Sequence, residues 1–297
     1  MITDFFISIK RKGGFAFIPD KLYYNLTYLL HCHGWIDWRN PRTFAEKLNW
    51  LKLYDRRPLY HTLVDKCEVR KYVEDKIGKD VLIKQYGTYN SFEEIDFDKL
   101  PDKFVLKCTH DSGSVKIVEK RRMDLKELAA HFHERIKTDF FHYSGREWPY
   151  KGLKPRIIAE EFIETPNDIP LTSYKFHCFN GEPRFIMVEQ GLLGNNSLRL
   201  GFYDLSFKEL PFKRPNRKSL STYVVMPSNF HQMIEISKEL SKDSPFIRVD
   251  LYSIKGRIYF SELTLYPVAG YVWYEPVEWN EKIGNLLDVS SINSSFV

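Results

Sequence analysis

Long apolar runs are missing from this chain of 297 residues. No stretch approaches the roughly 20 residues that a membrane-spanning helix needs. The first residues, MITDFFISIKRKGG, have too short an apolar run for a signal peptide and no small-residue cleavage site. Cysteine is scarce: Cys32, Cys67, Cys108 and Cys178 are scattered, with no CxxC among them. That pattern excludes a secreted disulfide framework and the usual zinc modules, and makes a reducing cytoplasm the expected compartment. His31, Cys32 and His33 lie together, but metal-ligating partners at the expected spacing are missing. Excess charge is also small. The net charge is +5, and the basic clusters, Lys10-Arg11-Lys12, Lys120-Arg121-Arg122, and Lys213-Arg214 with Arg217-Lys218, are short and separated. Such clusters read as solvated loops or helix ends and give no nucleic-acid footprint. GxxxxGK[ST] and GxGxxG are absent, which leaves P-loop and Rossmann nucleotide sites unsupported, and so are HExxH and GxSxG.

The chain has 43% apolar residues, ordinary for a soluble protein, and 15% aromatics, which is high. Aromatics in that number serve a thick core or a surface that stacks on sugars or bases. The length suits one large or two to three smaller domains.

Residues 1 to about 40 read as short helices and loops. Thr43 and Glu46 form a capping box, and Phe44, Leu48 and Leu51 follow at helical spacing. A second helix is expected over Asp65 to Lys76, ending at Gly78, with Lys66 and Arg70 in its first turns. Cations there oppose the helix dipole, which suggests that Lys66 serves something other than helix stability. Strands are expected over Val81 to Gly87, Phe104 to Cys108 and Ser114 to Glu119. Between the last two lies a polar loop, Thr109 to Ser114, that can turn its backbone N–H groups inward around a phosphate. Ser112 and Ser114 add hydroxyls there, and Gly113 permits positive φ. A helix starts at Asp124, with Leu125, Leu128, Ala129, Phe132 and Ile136 on one face and His131 and His133 outside it, in solvent. Residues 138 to 155 read as a loop, and Arg156 to Ile163 as a strand carrying Glu160 and Glu161. Tyr174 to Phe179 and Pro183 to Glu189 form a hairpin about Asn180-Gly181. A strand near 199 to 204, a basic loop at 211 to 222 and a helix from Phe230 to Leu240 follow.

The second hairpin, Phe246 to Pro267, alternates polar and apolar residues on either side of Lys255-Gly256. Arg248 shares a face with Asp250, and Glu262 with Thr264. Two carboxylates, a hydroxyl and a guanidinium on one surface would suit Mg²⁺ carrying nucleotide phosphates. Taken singly, each of these residues is an ordinary solvated charge. Sheets with a few helices give an α+β chain with mostly antiparallel sheets.

Their order along the chain resembles the ATP-grasp superfamily, over roughly residues 40 to 275. It is most similar to the TupA-like branch, named for teichuronopeptide biosynthesis. The blocks that carry the resemblance are NPRTFAEKLNWLKLYD, LVDKCEVRKYV, FVLKCTHDSG, RIIAEEFI, YKFHCFNGEP and FIRVDLY with IYFSELTLYP. The resemblance implies two sheets that clasp ATP, with a shortened N-terminal domain. It divides the chain into 1–63, a lid-side 64–163 and a metal-bearing 164–297. It further implies that Lys66 and Lys107 reach the α/β-phosphates and that Thr109, Ser112, Gly113 and Ser114 close over them. Glu160, Glu161, Phe162 and Ile163 would meet adenine and ribose, and Lys175 the γ-phosphate. Asp250, Glu262 and Thr264 would hold Mg²⁺, and Arg248 would steady the transferring group. Thr264 departs from the family's usual asparagine, although a hydroxyl can bind a metal directly or through water. The region before Lys66 is also shorter than the usual leading domain.

The implied activity is ATP-dependent joining of a carboxylate, small or on a glycan, to an amine through an acyl phosphate. Its setting would be surface-polysaccharide assembly, with room for peripheral contact with a membrane-bound glycan machinery. Two alternatives stand beside it. One is a sugar-modifying transferase, marked by nucleotide-sugar turnover without ATP. The other is a non-catalytic nucleotide or glycan-binding module, marked by tight ATP binding without turnover.

Overall fold

The computed structural model describes residues 14–165, 171–191, 198–215, 217–220, 224–290 and 292. Residues 1–13 lie outside these, as do 216, 221 and 222 of the basic loop. Among the described residues the helices are α1 (Asp20–Cys32), α2 (Phe44–Tyr54), α3 (Leu59–Val64), α4 (Val69–Ile77), α5 (Leu125–Lys137), α6 (Phe140–Tyr143), α7 (Phe230–Ser241) and α8 (Glu278–Gly284). Strands β1 (Gln85–Tyr89), β2 (Lys103–Cys108), β3 (Lys116–Glu119) and β4 (Ile157–Glu161) form an antiparallel sheet in the order β1-β4-β2-β3. A six-stranded sheet contains β5 (Thr172–Phe179), β6 (Glu182–Gln190), β7 (Arg199–Tyr203), β8 (Lys218–Ser219), β9 (Phe246–Ile254) and β10 (Arg257–Thr264). Its order is β10-β9-β5-β6-β7-β8, antiparallel except for β7 with β8.

The chain divides into two units. One comprises Pro58–Glu74, Leu82–Glu164 and the described residues before Pro19; the other comprises Pro19–Arg57, Asp75–Val81 and the described residues from Thr165 onward.

In the first unit, β2 alternates in and out, burying Phe104, Leu106 and Cys108 beside Ile157 and Ala159 of β4. Leu128 and Phe132 of α5 cover them, at about 1.5–3 kcal/mol for each large side chain taken from water. Leu125, expected on the same face, is exposed. The helix expected over Asp65 to Lys76 begins only at Val69. The backbone turns extended at Asp65, whose carboxylate accepts from the N–H groups of Cys67 (2.8 Å) and Glu68 (3.0 Å). Aspartate competes for backbone donors in this way and starts a new helix after itself. Lys66 therefore sits in the turn between α3 and α4, not in a helix. The strand expected from Val81 begins only at Gln85, after a 3₁₀ turn at Lys79–Val81, and β4 stops at Glu161. Residues 138 to 155 are more ordered than a loop, holding α6 and a 3₁₀ turn at Trp148–Tyr150. His131 is not in open solvent: it is half-buried, with Nε2 3.0 Å from the Ser114 carbonyl oxygen.

In the second unit, Phe230, Met233 and Leu240 of α7 are buried against one face of the six-stranded sheet. The Phe230 ring lies 5.7 Å from that of Phe176 on β5. The capping box is present at α2, where Glu46 N–H donates to Thr43 Oγ1 (3.2 Å) and Thr43 N–H to Glu46 Oε2 (2.8 Å). That cap sets Phe44 against Phe179 and Phe246, at 5.4 and 4.9 Å between ring centres. Both expected hairpin turns have the two positive φ angles of tight two-residue connections: 50° and 82° at Asn180-Gly181, 52° and 77° at Lys255-Gly256. At the end of α1, His33 takes a left-handed cap conformation (φ 59°), and Cys32 is buried, which pushes its thiol up to about 12.

Candidate functional site

Cross-strand register builds the polar face of the six-stranded sheet. Lys175 on β5 pairs with Asp250 on β9, which pairs with Glu262 on β10. The adjoining row is His177, Arg248 and Thr264. A β-bulge decides that alignment. Counting back from the Lys255-Gly256 turn, Phe260 faces Leu251 and unbroken pairing would next set Ser261 opposite Asp250. Instead the register shifts, Ser261 is passed over and Glu262 stands opposite Asp250. Without that extra residue Glu262 and Thr264 would point to the other face. The Ser261 hydroxyl lies 3.2 Å from the Tyr252 hydroxyl at this point.

Asp250 is the buried centre, 1% exposed. It accepts from Arg248 Nε at 2.6 Å, Arg248 Nη2 at 2.7 Å and Lys175 Nζ at 3.0 Å. Arg248 Nη2 also donates to Glu262 Oε1 and to Thr264 Oγ1, each at 3.0 Å, and the threonine hydroxyl donates to Glu262 Oε1 at 3.1 Å. Glu189 on β6 adds a third carboxylate, 3.4 Å from Lys175 Nζ. Burial alone would raise the Asp250 carboxyl; the Arg248 and Lys175 charges and hydrogen bonds outweigh it and hold the group below the ordinary carboxylate value. For Lys175 and Arg248 burial pulls downward, and Asp250 overrides it to keep both cations charged.

His177 faces the opposite way electrostatically. Burial, then the Arg248 charge, lowers it from 6.5 to about 3, so it is a neutral imidazole stacked on Phe185 at 4.4 Å. The unfolded chain takes up a proton near pH 6.5 and the folded one does not until about pH 3, so acid favours unfolding throughout that window. Lowering the pH from 7 to 5 should therefore cost about 2 kcal/mol through this group alone. Urea unfolding of wild type and His177→Gln at both pH values checks it: the variant should lose less stability on acidification.

Arg248 holds the oxygens expected to bind metal. Among the described residues no three His, Cys, Asp or Glu side chains cluster as a metal site by themselves. Two carboxylates and a hydroxyl meeting at one guanidinium nevertheless form a hard-oxygen set. Mg²⁺ borne on phosphates commonly takes one or two protein carboxylates, so the residues present fit such an ion.

The first unit carries the other expected residues. Lys107 Nζ sits 2.5 Å from Glu160 Oε2, and Arg70 Nη1 lies 3.4 Å from Glu160 Oε1. Glu160 thus faces two cations, while Glu161 is half-buried at the end of β4. Phe162 lies just beyond, its ring under Lys103 Nζ at 4.0 Å, and Ile163 follows half-buried. Lys66 braces the Thr109 to Ser114 loop from behind: its ammonium donates to the Cys108 carbonyl at 3.1 Å and to that of Asp111, and its own N–H to the Thr109 carbonyl. Ser114 points inward too, accepting from Cys108 N–H (2.8 Å) and donating to Asp111 Oδ1 (2.6 Å). Asp111 is held in turn by Arg135 Nε at 2.6 Å. Only Ser112 and Gly113 (φ 87°) are exposed at the tip, where backbone groups can meet a ligand. Thr109 Oγ1 and both ring nitrogens of His110 are buried without a hydrogen-bond partner among the described residues; burial lowers the His110 pKa.

The chain matches the family described as TupA-like ATPgrasp over residues 46–288. It belongs to the TupA-like ATP-grasp family. Both antiparallel-dominated sheets accord with that assignment, as do the blocks that carry the resemblance. No curated protein matches the chain. Among solved structures, the D-alanine–D-alanine ligase of Bacillus anthracis complexed with ATP is 18% identical over 69% of this chain and 56% of its own, with a TM-score of 0.42. The Helicobacter pylori enzyme of that name is 15% identical over 76% and 59%, also at 0.42. A RimK domain ATP-grasp protein from Sphaerobacter thermophilus is 13% identical over 71% and 66%, at 0.39. This TupA-like chain therefore spans less than two thirds of the two ligases' length.

Several side chains of the two clusters are ones that motif reading passes over. Asp111 and Arg135 shape the loop, and Glu189 balances Lys175. Arg214, whose guanidinium burial holds below its ordinary value, lies near enough to Arg248 and Glu189 to feel both charges. Arg214 had a sequence signal in the basic loop; Arg135 and Glu189 had none beyond being charged.

Proposed function

We propose that the protein is an ATP-dependent carboxylate–amine ligase. The supporting observation is the pair of rows that sets Lys175 and Arg248 about buried Asp250, beside Glu262 and Thr264, in a TupA-like ATP-grasp chain. Asp250, Glu262 and Thr264 would hold Mg²⁺, which neutralises phosphate charge when bound. Arg248 would exchange its bonds to Glu262 and Thr264 for the transferring phosphoryl oxygens, while the two bonds it donates to Asp250 keep it aimed. Lys175 would face the γ-phosphate. On the other sheet, Lys107 would exchange Glu160 for phosphate oxygens, with Lys66 holding the loop whose tip, Ser112 and Gly113, covers them. The segment Glu160 to Ile163 would meet adenine and ribose.

In the reaction the γ-phosphorus–oxygen bond to ADP breaks as a carboxylate oxygen–phosphorus bond forms. The amine nitrogen then attacks the carbonyl carbon of the acyl phosphate, inorganic phosphate leaves, and the nitrogen sheds a proton to give the amide. Cations fixed around the triphosphate serve this chemistry by positioning and charge stabilisation. The branch's association with surface polysaccharide points to a uronic acid or amino acid, free or on a glycan, as the carboxylate, handled on the cytoplasmic side.

The test is release of ADP and phosphate from ATP and Mg²⁺ across a panel of uronic acids, amino acids and amines, with mass spectrometry for the amide. Acceptor-dependent ADP release matched by amide supports the ligase. Nucleotide binding without turnover on any acceptor would replace it with a binding module. Turnover of a nucleotide-sugar without ATP would replace it with a transferase.

A further inference from the structure

Helix α1 is apolar on more than its inward face. Tyr23, Tyr24, Thr27, Tyr28 and Cys32 are buried. Yet Leu22, Leu26, Leu29 and Leu30 are 47%, 41%, 40% and 76% exposed. Their spacing places them in one outward stripe, and Trp35, also exposed at 57%, follows just past the helix end. A surface helix ordinarily carries charged side chains on that side, and a contiguous exposed apolar patch marks a contact surface.

Size and charge select what it meets. The stripe offers a few hundred Å², below the roughly 800 Å² that each partner contributes to a stable protein interface. Among the described residues its flanking cations are Lys21 at the helix start, whose ammonium lies 5.7 Å from the Trp38 ring centre, and exposed Arg39 after Trp35, in a chain of net charge +5. Asp20 pairs with Arg56 at 2.9 Å, and Asp37 accepts from the backbone N–H groups of Arg39 and Asn40. Tryptophan settles at the boundary between headgroups and acyl chains. No helix among the described residues is long and apolar enough to cross a membrane, so the contact lies in the surface plane.

We propose that α1 rests on an anionic lipid surface, with Leu22, Leu26, Leu29 and Leu30 at the acyl boundary and Trp35 among the headgroups. The site chemistry is separate from this surface, and the two can fail independently.

Co-sedimentation of the full chain with phosphatidylglycerol–phosphatidylcholine vesicles tests it. Wild type should sediment with them, less so with phosphatidylcholine alone or in high salt. The double variant Leu26→Glu/Leu30→Glu should bind at least about tenfold less, with its nucleotide-induced thermal shift unchanged. Absence of wild-type binding would overturn the proposal, as would equal binding by the variant. A dimer in light scattering that the variant abolishes, without vesicle binding, would assign the stripe to a second copy instead.

Discussion

Asp250→Asn should destabilise the protein by about 3–5 kcal/mol, the cost of removing one partner from a buried charge group. Asparagine keeps the shape but not the charge. It would leave Arg248 and Lys175, whose side chains are only 11% and 14% exposed, facing each other across a neutral amide. One amide oxygen also cannot accept all three of the bonds at 2.6, 2.7 and 3.0 Å, and the amide N–H₂ would confront a donor. Urea unfolding reads this as a lowered midpoint with an unchanged slope. Glu262→Gln is the comparison: its side chain is 39% exposed, so water replaces much of what is lost and the cost should stay below about 1 kcal/mol. Equal, small effects from both variants would show that Asp250 is not the electrostatic centre of this face.

Lys107→Met should weaken binding of Mg²⁺ with ADP or a non-hydrolysable ATP analogue about 10- to 100-fold, the worth of a charged hydrogen bond. The ammonium sits at the end of β2, its side chain 13% exposed, and its partner Glu160 keeps Arg70 when it is gone. Glu160, its side chain only 6% exposed, then keeps one cation instead of two, so the free protein should lose stability, by less than Asp250→Asn does, while the nucleotide-induced rise in melting temperature collapses. Lys66→Met acts through the loop instead. Because Lys66 ties down the carbonyls of Cys108 and Asp111, its loss should lower the stability of the free protein as well as nucleotide affinity. Titration calorimetry with thermal melts separates the two. Unchanged affinity in Lys107→Met would remove Lys107 from the nucleotide site.

Local chemistry in the sequence settled much of this protein. Thr43 and Glu46 cap their own helix, Asn180-Gly181 and Lys255-Gly256 make their own turns, and alternation in β2, β5 and β9 marks which side chains share a face. These are short-range matters of backbone preference and hydrogen bonds between near neighbours, so a reader of residues can recover them. The six blocks in order were legible in the same way and pointed to the ATP-grasp family. Asp65 shows the limit of such reading: it is expected to open its helix, and its carboxylate's bonds to Cys67 and Glu68 delay the start to Val69.

Tertiary structure decided the rest. Strict alternation along β10 would turn Glu262 away from Asp250; the bulge at Ser261 returns it, and nothing in the residues of that strand announces a bulge. Ser114 reads as a phosphate donor, yet Asp111 across the loop takes its hydroxyl. Arg135 and Glu189 join their clusters only because α5 and β6 bring them there. The outward leucines of α1 likewise became visible once its tyrosines were seen to take the inward face. Register, loop closure and burial depend on which distant segment packs against which, and that is a property of the whole fold rather than of any window of sequence.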